Sequence, residues 1–203
     1  GDVEINREQY IKLTDFFKNN KSAKNVLKFV YKIFPLTVFA SYPILLVYTF
    51  LWQKDLFLKS LTVPAGVFLG ITLLRIIIKE ERPYVRYGVA PVFAKNSKPD
   101  SMPSRHTASA FIIAMAILRF NVWAGIAYLF IAVMISVSRV CAGVHYVRDV
   151  IVGAAIAISA EFIFVFGVLI YNCADGNNVT LNHNFQFKKP QQKVKNLPWL
   201  FVE

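Results

Sequence analysis

Residues 138–149 read SRVCAGVHYVRD and lie between two long apolar runs, Val122–Cys141 and Val150–Asn172. Ser138 and Arg139 close the first run, and His145 and Asp149 stand four residues apart at the entrance to the second. One helical turn at that spacing lets a carboxylate hold one imidazole nitrogen, which fixes the tautomer and leaves the other nitrogen as a nucleophile. An incidental interfacial histidine followed by a capping aspartate would read the same way on this stretch alone.

Working outward, three further apolar runs appear at Phe29–Trp52, Leu56–Ile78 and Thr107–Arg119. A spanning helix needs about 20 mostly apolar residues. The third run is short and its first turn is polar, which fits a helix end held inside protein rather than facing lipid. A chain of 203 residues that is 56% hydrophobic is too apolar for an ordinary soluble domain. The reading is an all-α fold, a polytopic transmembrane helical bundle of about five spans. Residues 1–28 form an amphipathic N-terminal segment, with Tyr10, Ile11, Leu13, Phe16 and Phe17 as the apolar face of a helix on the membrane surface. Residues 29–172 form the bundle, and 173–203 a polar, loosely ordered tail that holds His183 and the Asn178-Val179-Thr180 sequon. Asn19–Ser22 reads as a break, and residues 53–55 and 119–121 as tight polar turns. Pro35, Pro43 and Pro64 fall inside spans as tolerated kinks.

The formal net charge is +11, with cations concentrated in 7–32 and 188–195. Beside membrane spans, anionic membrane lipids are the simplest partner for that charge. Nucleic acid is excluded as a partner because no groove-reading module is present. Cys141 and Cys173 fall at opposite ends of the bilayer, too far apart for a disulfide. The N-terminal residues do not read as a cleavable signal peptide. The sequence carries no signal for an oligomeric state, and the side of the membrane that holds the site is left open.

Two other polar blocks mark span ends. Arg75, Lys79 and Arg82 are spaced i, i+4 and i+7, so a continuous helix would place them on one face. A planar guanidinium suits phosphate oxygens and keeps its charge; snorkelling to headgroups is the plainer account. Ser101, Pro103 and Ser104 are helix-start residues, and a helix N-terminus is an anion site. His106 then falls in the first turn, or is simply an interfacial histidine behind a cap. Antiparallel packing of the runs brings all three blocks to the same membrane face.

In order and together, Arg75-(six residues)-Arg82-Pro83, Pro103-Ser104-Arg105-His106 and Ser138-Arg139-(five residues)-His145-(three residues)-Asp149 closely resemble the signature of the type 2 phosphatidic acid phosphatase family. That is the membrane branch of a superfamily shared with vanadium haloperoxidases. The resemblance covers roughly residues 29–172. Two positions depart from it: Arg75 stands where the family has lysine, and Arg105 where it has glycine. The resemblance implies a metal-independent enzyme, with no cofactor and no metal site, acting on a lipid phosphate substrate in the cell membrane. His145 would be the nucleophile, Asp149 its orienting carboxylate and His106 the general acid. Arg75, Arg82, Arg139, Ser104 and the Arg105 backbone would bind the phosphate oxygens, with Lys79 able to share the Arg75 role. A lipid phosphotransferase would carry the same blocks. A non-catalytic lipid binder or transporter would need the arginines but not the His–His–Asp trio.

Overall fold

The computed structural model describes residues 6–93, 100–174, 180–181 and 187–188. Helix α1 (Arg7–Asn19) starts at a reciprocal capping box, in which Asn6 accepts from the Gln9 backbone and the Gln9 side chain accepts from Asn6. It ends at Asn20, whose side chain caps α2 (Lys21–Trp52) by accepting from the Ala23 N–H at 3.0 Å. The expected break is therefore a single residue. Because Asn20 starts a new helix at once, the first spanning helix begins eight residues ahead of Phe29 and runs uninterrupted through Pro35 and Pro43.

Helix α3 (Lys54–Ile78) follows after the single residue Gln53. A short helix, α4 (Pro83–Arg86), opens the next connection, and α5 (Arg105–Leu118), α6 (Val122–Cys141) and α7 (Val147–Ala174) complete the bundle. Beyond them, β1 (Thr180–Leu181) pairs antiparallel with β2 (Phe187–Lys188). Asn178 of the sequon and His183 lie outside the described residues, as does most of the expected tail.

Helix α5 is the axis of the bundle and packs against α2, α3, α6 and α7. Its Ala108, Ala110, Ile112 and Ile113 join Val38, Val67, Ile71, Ala132, Ile135 and Ala157 in one buried cluster. Lipid tails are as apolar as leucine, so close packing rather than water exclusion must hold such helices together. Small residues permit it: a Cβ at Gly125 would lie 2.4 Å from the Leu118 Cα, and one at Gly153 would lie 2.9 Å from the Ser104 carbonyl oxygen. The outer faces carry exposed Ile44, Ile77, Trp123 and Ile163, the inverse of a soluble bundle.

Helices α2, α6 and the Leu56–Ile78 part of α3 are long and apolar enough to cross a membrane. Helix α7, with 28 residues, exceeds spanning length. Helix α5 has only 14 residues and falls short. At its far end Arg119 stands in the expected turn between α5 and α6, but its side chain, 10% exposed, is turned inward to Glu161 of α7, with Nε and Oε1 2.8 Å apart.

A second, smaller apolar cluster caps the other end, where the three polar blocks lie. Leu27, Val92, Ala142 and Val144 are buried there, with Phe17, Tyr31, Tyr84 and Phe93 packed around them.

Candidate active site

The second block is pinned in place by the first. Arg75, 5% exposed, directs Nη1 to the Ser101 and Pro103 carbonyls at 2.9 and 2.8 Å, and Nη2 to the Asp100 carbonyl. Arg82 reaches the same Asp100 carbonyl from Nε at 3.2 Å and the Val144 carbonyl from Nη1 at 3.5 Å. Where Glu81 and Asp100 form an isolated bridge, the Ser101 N–H donates to the Glu80 carbonyl, so the base of the 82–100 connection is closed. Arg148 adds an ion pair to Glu80 at 2.6 Å on the rim.

The expectation that Arg75, Lys79 and Arg82 share one helix face does not hold. The helix stops at Ile78, and Lys79 takes a left-handed conformation (φ 50°) in which its N–H caps the Arg75 carbonyl. That reversal leaves Lys79 exposed and lets the chain double back, so Arg82 enters the site as the N-cap of α4 rather than as a further helical turn.

Ser104 is the N-cap of α5, fully buried, with Oγ accepting from the Thr107 hydroxyl at 3.1 Å and from the Thr107 N–H at 3.5 Å. Ser136 of α6 in turn lies 3.2 Å from the Thr107 hydroxyl, which ties the cap to the neighbouring helix. Arg105 is exposed in the first turn and close enough to Arg75 and Arg82 for mutual repulsion. His106, half-buried beside it, meets the Phe39 ring edge-on at 6.3 Å between centroids.

The third block docks onto this frame. His145 is 3% exposed, and its Nδ1 faces Asp149 Oδ2 at 3.2 Å. The same oxygen accepts from the Ser101 hydroxyl and from the Tyr146 N–H at 3.0 Å. Three donors on one buried oxygen hold a carboxylate in its charged form and fix its orientation. Nδ1 is the nitrogen turned to Asp149, so Nε2 is the one directed away from it. The Ser104 N–H also donates to the Asp149 backbone carbonyl at 3.0 Å, which locks the start of α7 to the start of α5. Arg139 closes the group: its guanidinium stacks on the Tyr31 ring at 3.9 Å and donates to the Tyr31 carbonyl at 3.3 Å. Its Nε is buried with no hydrogen-bond partner among the described residues.

Positive charge and a carboxylate-oriented imidazole thus gather at one end of the bundle, with His106 in the first turn of α5 at that same end. The family model described as the PAP2 superfamily matches residues 56–172, more than half of the chain. The chain belongs to the PAP2 superfamily. All three blocks lie inside the matched segment.

Two solved structures share the PAP2 fold. Aquifex aeolicus LpxE is 24% identical, with a TM-score of 0.56 over 78% of this chain and 93% of its own. The Bacillus subtilis protein described as the first transmembrane PAP2 type phosphatidylglycerolphosphate phosphatase is 21% identical, with a TM-score of 0.60 over 80% of this chain and 85% of its own. In sequence, the chain is 31% identical over 117 residues to the Escherichia coli (strain K12) protein named "Putative undecaprenyl-diphosphatase YbjG", covering 55% of this chain and 58% of that one. It is 39% identical over 66 residues to the Bacitracin transport permease protein BcrC of Bacillus licheniformis, 32% of each chain. The chain therefore spans less than three-fifths of the length of these curated relatives. With its long apolar helices, this PAP2 chain is a multi-pass membrane protein.

Two residues that touch the site were not singled out as part of it. Ser101 read as a helix-start residue, yet its hydroxyl reaches both Asp149 and, at 3.4 Å, His145 Nδ1. Its position one turn ahead of the Ser104 cap in a proline-punctuated loop was the available signal. Tyr31 precedes the PAP2 match and carries no motif, so no sequence signal marked it. No group of three or more His, Cys, Asp or Glu side chains suited to a metal ion occurs among the described residues.

Proposed function

We propose that this protein is a metal-independent lipid phosphatase that hydrolyses a lipid phosphate or diphosphate through a phosphohistidine. The observation that carries the proposal is His145 held through Nδ1 by Asp149 within a cationic frame of Arg75, Arg82 and Arg139. In the first step His145 Nε2 attacks phosphorus, the bond to the leaving oxygen breaks, and His106 gives that oxygen a proton. In the second, His106 takes a proton from water, the water oxygen attacks phosphorus, and the P–N bond breaks to release phosphate. Phosphoryl transfer depends chiefly on placing charge around the equatorial oxygens. Arg82, Arg139, the remaining Arg75 donors, the Ser104 hydroxyl and the first N–H groups of α5 supply it, while Lys79 at the exposed helix end stands outside this set. The basic N-terminal segment holds the protein to anionic lipid.

Undecaprenyl diphosphate heads the substrate panel because of the name carried by the Escherichia coli relative. Phosphatidylglycerophosphate, phosphatidic acid and a lipid A phosphate complete it. The test is inorganic phosphate release by purified protein from each lipid, with chelator present and no added acceptor. Turnover on at least one lipid is expected, and His145→Ala is expected to lower it by at least about a thousandfold while the variant stays folded. Near-normal turnover by that variant would remove His145 as nucleophile. Phosphate transfer only when a hydroxyl acceptor is added would make the protein a phosphotransferase instead.

A further inference from the structure

The N-terminal helix α1 lies outside the segment that matches the PAP2 superfamily, yet it is bolted to the chain that delivers the proposed nucleophile. Arg7, Tyr10, Thr14 and Lys18 fall on one face of α1. Arg7 Nε donates to the Tyr87 carbonyl at 3.4 Å, and Lys18 Nζ to the Ala90 carbonyl at 2.7 Å. Between them the Tyr10 hydroxyl lies 3.3 Å from the Val89 carbonyl and 3.2 Å from the Gly143 carbonyl. Tyr10 is 2% exposed and Thr14 fully buried. The expected membrane-surface face survives only in part: Phe16 is exposed, while Tyr10 points into protein.

The two segments gripped by Tyr10 both end in the site. Residues 87–90 follow Arg82 and α4, and Gly143 precedes His145 by two residues. The segments also pair with each other, the Val92 N–H donating to the Ala142 carbonyl at 3.1 Å. Gly143 adopts φ +73°, and a Cβ there would come within 2.7 Å of the Tyr10 hydroxyl. Only glycine therefore lets the phenol sit against this turn. The Tyr10 ring further packs on Tyr87 at 5.4 Å, and Tyr87 on Tyr146 at 6.5 Å, the residue whose N–H holds Asp149.

We infer that Tyr10 is a positioning residue for His145, and that α1 acts as a latch across the two connections that carry Arg82 and His145. Latching keeps the 142–145 turn at the height at which Nδ1 meets Asp149 and Nε2 meets phosphorus. The inference deepens the phosphatase reading and depends on it only for its kinetic arm. Burial beside Tyr146 and Tyr84 pushes the Tyr10 phenol above its ordinary value, so it remains a donor at working pH.

The test compares full-length wild type, Tyr10→Phe and Tyr10→Ala in detergent micelles. Hydrogen–deuterium exchange at residues 141–147 reads the latch without any need for turnover. Both variants are expected to raise exchange there, Tyr10→Ala more than Tyr10→Phe, while the α5 core stays protected. On the panel lipid with the fastest phosphate release, Tyr10→Phe is expected to lower kcat about three- to tenfold, the scale of one neutral hydrogen bond, with KM within about twofold. Unchanged exchange at 141–147 in Tyr10→Ala overturns the inference. So does a rise in KM with kcat intact, because a misplaced nucleophile slows chemistry rather than binding. Raised exchange in a protein that releases phosphate from no panel lipid supports the latch and overturns the phosphatase reading alone.

Discussion

Asp149 Oδ2 gathers His145, the Tyr146 N–H and the Ser101 hydroxyl, and the last of these is the most easily removed without disturbing the backbone. A hydrogen bond to a charged group contributes about 1.5–3 kcal/mol net. Ser101→Ala is therefore expected to lower kcat by about 10- to 100-fold with little change in KM. Steady-state kinetics on the fastest panel lipid check this, and wild-type kcat would strip Ser101 of its role. Tyr10 makes a second residue-scale prediction. Its phenol is raised first by desolvation and then by Tyr146 and Tyr84, so its stabilising contribution is complete below about pH 10 and fades as pH climbs toward the raised value. Phenylalanine cannot ionise. The Tm gap between wild type and Tyr10→Phe should thus narrow from about pH 8 to about pH 10.5 in thermal melts; a constant gap would mean that the phenol does not titrate in this range.

At the scale of elements, the contact of α7 with α5 is the one that aligns the third block with the second. Gly153 meets the Ser104 carbonyl oxygen so closely that any side chain must part the helices. Gly153→Val is expected to destabilise by about 1–3 kcal/mol and to abolish most activity, because the Ser104–Asp149 backbone bond opens. Gly125→Val wedges α6 from Leu118 at the opposite end. It should destabilise similarly yet preserve turnover per folded molecule, which melts and active-fraction measurements separate. The element pattern was largely written in the sequence: α6 begins and ends where its apolar run does, and α7 only three residues ahead of its run. Apolar periodicity and length decide such elements locally. What failed was local reasoning about chain reversals. Spacing alone puts Lys79 on a helical face, because nothing in Ile78–Glu80 announces a left-handed cap. The role of Ser101 is not legible locally because its partner stands 48 residues away, and those of Tyr10 and Tyr31 are not because a phenol that holds a backbone turn or an arginine has no spacing rule.

For the molecule as a whole, the shortness of α5 is decisive. Fourteen residues rise about 21 Å, against roughly 30 Å of hydrocarbon. With Arg105 at the active face, the Arg119 end stops within the bilayer, which explains why it is met there by Glu161, with side chains 10% and 3% exposed. Breaking one side of a buried pair costs about 3–5 kcal/mol, whereas replacing both by apolar residues is near neutral. Glu161→Ala should accordingly lower the melting temperature sharply, and Arg119→Met combined with Glu161→Leu should restore it; equal melting of all three proteins would show that the pair carries no structural weight.

The same stopper has a directional consequence. Between the cationic end and Arg119, Ala108, Ala110, Ile112, Ile113, Ala114 and Ala116 of α5 are buried against their neighbours, so among the described residues the packed core closes the bundle behind the site. On the phosphatase reading proposed above, phosphate cut from a headgroup would go back out into the compartment that presented the lipid. In sealed vesicles loaded with substrate in both leaflets, product would accumulate on a single side, and the protein would read the sidedness of its membrane rather than move anything across it.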